Sequence, residues 1–235
     1  MSSHLHARVR FNTGPVLPEG DLANWQIIEP WLRDVGNYEH HCFVSWPHTR
    51  NVEISECART VRDAIESRLS ESFVNPKVFL DEKGINVGDQ WDPVLRKALC
   101  RSMSMVAICA PVYFRSEHYW CGLEWASMHE LGQKRLPKVD YSPIIALMVR
   151  VPDPLPWPAG KIQFIDVSRV TIKGRKYFST DEFRTKIDSV VRRIEEIAEG
   201  LWKNEAISNC EMYQFPEVSA FANYAAPAQS FPLVS

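Results

Sequence analysis

The stretch SMSMVAICAPVYFRSEHYWCGLEW, residues 102–125, decides the fold. Its first part, SMVAICA at 104–110, is apolar at nearly every position and too short for a helix, so it reads as a central strand. A strand without a polar face needs cover on both sides, which is the environment of a parallel sheet. Tyr113 to Tyr119 makes a polar-aromatic loop. CGLEWASMHELG, from Cys121, then reads as a helix ending at Gly132, where a glycine takes the left-handed conformation that closes helices. The unit is strand, loop, helix.

The same alternation extends both ways. HCFVSW at 41–46 is a short apolar run bounded by Pro47, and Ile54, Ala58, Val61, Ile65 and Leu69 give the helix after it one buried stripe over 53–69. KVFLD at 77–81 is a second strand, DEKGINVGDQ a loop, and Trp91 to about Arg101 a short amphipathic helix. PIIALMV at 143–149 and IQFIDV at 162–167 are strands four and five, separated by the proline-laden VPDPLPWPAG. Phe183, Ile187, Val190, Ile194, Ile197 and Leu201 stripe a final helix from Asp181 to Trp202, capped by Ser179 or Thr180. The predicted fold is α/β: a flavodoxin-like, doubly wound, five-stranded parallel sheet. Residues 1–38 read as an irregular lead-in with room for one short helix, 39–204 as the domain, and 205–235 as a flexible acidic tail. The scattered aromatics of that tail dock on the domain or a partner, or stay disordered; the composition favours disorder.

The chain has 235 residues, 45% hydrophobic and 24% charged, with a net charge of -2. It holds no run of about 18 apolar residues to span a bilayer, and its start lacks the apolar core of a signal peptide. A cytoplasmic protein with no membrane partner is expected. The balanced charge excludes a dedicated nucleic-acid binder, and the basic cluster from Arg169 to Lys176 reads as a solvated rim. Six cysteines, at 42, 57, 100, 109, 121 and 210, form no CxxC pair or zinc spacing, so no metal is expected. Most read as small core residues in a reduced compartment.

Ligands of doubly wound sheets bind beyond the carboxyl ends of the strands, here after residues 45, 81, 110 and 149. The segment PHTRN after the first strand is no phosphate-cradling glycine loop, no acidic cluster ends that strand, and no GxSxG elbow occurs. Trp120 and Glu124 stand out. Four residues apart on a helix, they project from one face and reach one cleft. An indole beside a carboxylate holds a flat ring or cation while the carboxylate stabilises developing positive charge; spacing alone favours the plainer reading, a core Trp and a solvent-facing Glu.

Taken in order, FVSW, FLDEKGINVGDQW and the stretch at 102–125 resemble the TIR (Toll/interleukin-1 receptor) domain over roughly residues 39 to 200. The third segment, with its W-C-x-x-E, is the most specific. Trp46 stands where that family commonly has tyrosine. The second loop lacks the proline of receptor-type members, which aligns it with the enzymatic bacterial, plant and axon-degeneration branches. For those branches the resemblance implies cleavage of the nicotinamide N-glycosidic bond of NAD+, with NAD+ as substrate, no cofactor, and Glu124 as catalytic residue. It implies that Trp120 flanks ribose or nicotinamide or else anchors its helix, that Trp91 stacks on a base or packs under its loop, and that Ser45 and Trp46 end the first strand beside the substrate. Asp81, Lys83 and Gly88 belong to the second loop, and Lys83 and Arg50 are candidates for the diphosphate. It further implies a bacterial immune component that works with other TIR protomers and with a separate sensor or effector protein. The alternative is a non-catalytic TIR adaptor acting only by homotypic association.

Overall fold

In the computed structural model, which describes residues 22–82, 93–150 and 162–216, five parallel strands form one sheet with order β2-β1-β3-β4-β5. They are β1 (His40–Ser45), β2 (Val78–Leu80), β3 (Ser102–Cys109), β4 (Ile144–Met148) and β5 (Phe164–Asp166), joined and flanked by α1 (Leu22–Asp34), α2 (Val52–Leu69), α3 (Pro93–Cys100), α4 (Tyr119–Arg135), the short α5 (Val170–Lys173) and α6 (Asp181–Lys203). The expected doubly wound α/β sheet is therefore present, in the strand order of flavodoxin-like folds. Every residue of β3 and β4 is buried, as strands covered on both faces must be.

Because side chains alternate along a strand, each strand feeds two cores. Cys42, Val44, Val106, Ile108, Ile145 and Leu147 pack with α1, α2 and α6. Phe43, Met105, Ala107, Cys109, Ala146 and Met148 pack with α3 and α4. Register locks the two sets in place: Val44 pairs with Leu80 and Val106, Ser45 with Ala107. Helix α2 buries the expected stripe, Ile54 to Leu69, and starts at Asn51, whose side chain accepts from the Glu53 N–H. Thr180 caps α6 by accepting from the Phe183 N–H.

The lead-in carries the one helix for which the sequence left room: Ile28 and Leu32 of α1 enter the first core, and that burial outweighs the one hydrogen bond lost at Pro30, inside the helix. Three expectations change. Helix α4 does not stop at Gly132 but runs to Arg135. A Cβ at Gly132 would lie 2.6 Å from the Pro143 ring, so this glycine serves a close approach rather than a left-handed cap. The tail is packed through its first dozen residues. Ala206 and Ser208 are buried, and the Tyr213 hydroxyl donates to the Ser127 carbonyl at 3.2 Å. Finally, Cys100 and Cys210 form a disulfide, which ties that segment to the end of α3, while Cys42, Cys57, Cys109 and Cys121 are free and buried.

Candidate active site

The strand order reverses between β1 and β3, the switch point at which doubly wound sheets form a ligand crevice beyond the carboxyl ends of the strands. Glu124 sits at that switch point, bonded to the last residue of β1. One and a half turns into α4, it points inward and is only 7% exposed. Ser45, the last residue of β1, donates its hydroxyl to Glu124 Oε2 at 2.5 Å. With that proton committed, the Tyr113 hydroxyl is the donor in its own 2.5 Å bond to Ser45 Oγ. Tyr113 comes from the loop after β3, is fully buried, and is held edge-on by Phe114 and Trp125. Three elements thus converge in a relay from Tyr113 through Ser45 to Glu124.

Burial pushes the Glu124 carboxyl up to about 8; the Ser45 hydrogen bond opposes the shift, and the negative charge of Asp81 adds to it. One hydroxyl is poor compensation for a buried carboxylate, so near neutrality this acid largely keeps its proton. Burial also holds the Tyr113 phenol and the Cys121 thiol protonated, so Cys121 offers no thiolate nucleophile. A carboxyl in this state gains most from a cation beside it, because pairing restores the charged form that burial disfavours.

The other expected residues divide. Asp81 follows β2 beside the site and acts electrostatically on Glu124. Trp46 is buried on the α1/α2/α6 side of the sheet, opposite to Glu124, and its indole N–H donates to the Asp81 carbonyl at 3.0 Å. Trp120 is half-buried at the edge of the second core, 4.2 Å from the Tyr119 ring. Arg50 is exposed on the loop between β1 and α2, and among the described residues no hydrogen bond or ion pair joins it to Glu124. Lys83, Gly88 and Trp91 lie outside the described residues. Three contributors were not anticipated. Tyr113 was read only as a loop aromatic, while His48 and His118 passed unremarked. His48 Nε2 lies 3.4 Å from Asp81 Oδ2, and its ring lies 4.0 Å from that of Trp46. The signal available was position: His48 falls three residues past a strand end, on the edge where doubly wound sheets bind ligands.

Among the described residues no group of three or more His, Cys, Asp or Glu is placed to hold a metal ion, and no helix is long and apolar enough to cross a membrane. A family model for the TIR domain matches residues 54–179, more than half of the chain and inclusive of Glu124. No curated protein matches the chain. Among solved structures, the TIR domains in the structure of the activated Roq1 resistosome directly recognizing the pathogen effector XopQ match at 17% identity and a TM-score of 0.32, over 78% of this chain and 96% of that one.

Proposed function

The chain belongs to the TIR domain family, and from that premise we propose that it is an enzyme that cleaves the nicotinamide N-glycosidic bond of NAD+, with Glu124 as its catalytic carboxylate. The observation that carries this is the burial of Glu124 in the crevice between β1 and β3, bonded to one serine and raised to about 8. NAD+ brings a cationic nicotinamide ring into that crevice. Its charge draws the proton off Glu124. As the C–N bond breaks, positive charge moves to an oxocarbenium-like ribose, which the carboxylate stabilises as in glycosidases. Nicotinamide leaves as a neutral molecule, so the departure needs no acid. Water then gives ADP-ribose, and attack by the adenine or a ribose hydroxyl of the same molecule gives a cyclic ADP-ribose. Association with other protomers of this chain and a part in immune signalling extend the proposal, with a separate sensor or effector protein as partner.

The test is nicotinamide release from NAD+ by purified protein, alone and with a crowding agent that favours assembly. Glu124→Gln is expected to lower the rate by at least roughly 10²-fold. For the wild type, kcat/KM should climb about tenfold per pH unit and level off above about 8, since this ratio reports the free enzyme. Equal release by both proteins would refute the assignment of Glu124. No release under any assembled condition would favour the adaptor that works by association alone.

A further inference from the structure

Three elements assemble a second functional group at the carboxyl edge of the sheet, the edge that also holds Glu124. The loop after β1 supplies His48, the end of β2 supplies Asp81, and the turn leading into α4 supplies His118. His48 Nε2 faces Asp81 Oδ2 at 3.4 Å. The Trp46 ring lies 4.0 Å from the imidazole, and its N–H fixes the backbone carbonyl of that same aspartate. The His48 ring is thus oriented on one face and at one nitrogen, while its side chain stays 31% exposed and open to a substrate. Asp81 lies close enough to raise Glu124, and His48 stands three residues after Ser45, the residue bonded to Glu124, so the pair and the carboxyl share one edge of the sheet.

Resting on the NAD+ cleavage proposed above, we propose that His48, oriented by Asp81, is the general base that takes the proton of the attacking nucleophile. Cleavage leaves this requirement unmet. When nicotinamide departs, the electron pair of the C1′–N bond goes to the pyridine nitrogen and C1′ becomes electrophilic. Water then forms the C1′–O bond, and one of its protons must go elsewhere. Intramolecular attack by a ribose hydroxyl also ends with a proton to dispose of, whereas a neutral adenine ring nitrogen forms a cation and needs no base in that step. Asp81 faces His48 Nε2 at 3.4 Å, and its charge favours the tautomer that carries the proton on that nitrogen, so the lone pair on Nδ1 receives the nucleophile's proton. The ring is neutral and fit for this at neutral pH: burial lowers it, Asp81 opposes that shift, and His118 reinforces it. A general base of this kind contributes about 10²- to 10⁴-fold.

Pyridine exchange needs no such base either. A neutral pyridine that attacks C1′ forms a pyridinium with no proton to lose, so exchange of nicotinamide for 3-acetylpyridine bypasses the step. The experiment measures by chromatography, for wild type and His48→Gln, both the ADP-ribose products formed by attack of water or a ribose hydroxyl and the exchanged dinucleotide. His48→Gln should lose roughly 10²-fold in those ADP-ribose products while exchange stays within about threefold. Retained exchange also certifies the fold and the bond-breaking step. Asp81→Asn should split the two reactions in the same direction, by less. Equal loss of both reactions, or no loss of either, overturns the role of His48 and leaves NAD+ cleavage standing. Wild type that neither releases nicotinamide nor exchanges it overturns both proposals.

Discussion

Glu124 and Arg135 lie eleven residues apart on α4, are each 7% exposed, and face opposite edges of the sheet. The arginine has several partners. Its guanidinium donates to the carbonyls of Cys100 at 2.6 Å and Ser102 at 3.2 Å and to Ser208 Oγ at 3.3 Å, and it sits over the Tyr38 ring at 5.2 Å. Around it meet the end of α3, the start of β3, the segment after α1 and the tail. Among the described residues the glutamate has one hydrogen-bond partner, the Ser45 hydroxyl. A buried cation bonded to several chain segments fastens them together. A buried carboxyl with a single bond to the described residues is out of balance until something enters the crevice, and such groups gather at functional sites.

The largest test of this contrast is the stability cost of the acid. In the unfolded chain Glu124 ionises near its ordinary value of 4.5, and in the fold near 8. Below 4.5 both states are protonated and the fold keeps the full benefit. Between 4.5 and 8 the unfolded chain releases a proton that the folded one holds, so stability falls as pH rises across that window, by about 5 kcal/mol in all. Glu124→Gln abolishes the dependence. Its melting temperature should match wild type at pH 4 and exceed it above pH 8 by on the order of 10 °C, together with the loss of nicotinamide release. A variant equally stable at both ends of the range would mean that the carboxylate is compensated as fully as Arg135.

The opposite end should respond in the opposite way. Arg135→Met strips donors from two buried carbonyls and is expected to cost about 4 kcal/mol. Cys210→Ser removes the tie between α3 and the tail, at a cost of about 3 kcal/mol. Both appear as lowered urea midpoints. Neither should move the pH midpoint of kcat/KM. A shift in that midpoint would show that α4 transmits strain between its ends, and the contrast between fastener and reactive group would then collapse into one coupled device.

The two ends also differ in how readily the sequence discloses them. β3 and β4 were legible because continuous apolar runs have few other uses, and α2 and α6 because their stripes repeat at helical spacing. Glu124 was legible through its place after Trp120 and the W-C-x-x-E pattern. Nothing local marked its partners. Ser45 and Tyr113 are 79 and 11 residues away from it, and only the β1–β3 pairing brings them together. The Arg135 end was opaque for the same reason. Cys100 and Cys210 are 110 residues apart, and a tail of small, polar and acidic residues looks solvated until its partners across the fold are known. Composition reports what a segment is able to bury by itself, and the tail is held by contacts that other segments supply.

The smallest effect comes from the outermost member of the relay. Tyr113→Phe leaves a ring of nearly the same shape between Phe114 and Trp125 and removes only the hydroxyl that donates to Ser45. The cost to stability should be about 1 kcal/mol, that of one neutral hydrogen bond. Its effect on Glu124 has a definite sign. A serine that accepts a hydrogen bond is a better donor, because chained hydrogen bonds polarise one another. Losing Tyr113 therefore weakens the Ser45 bond that holds the Glu124 carboxyl down, and the midpoint of kcat/KM should move upward by a few tenths of a pH unit. The plateau above that midpoint should stay within about twofold, since once Glu124 is ionised the tyrosine has no proton left to influence. A downward shift, or a collapsed plateau, would mean that the tyrosine hydroxyl meets the substrate directly.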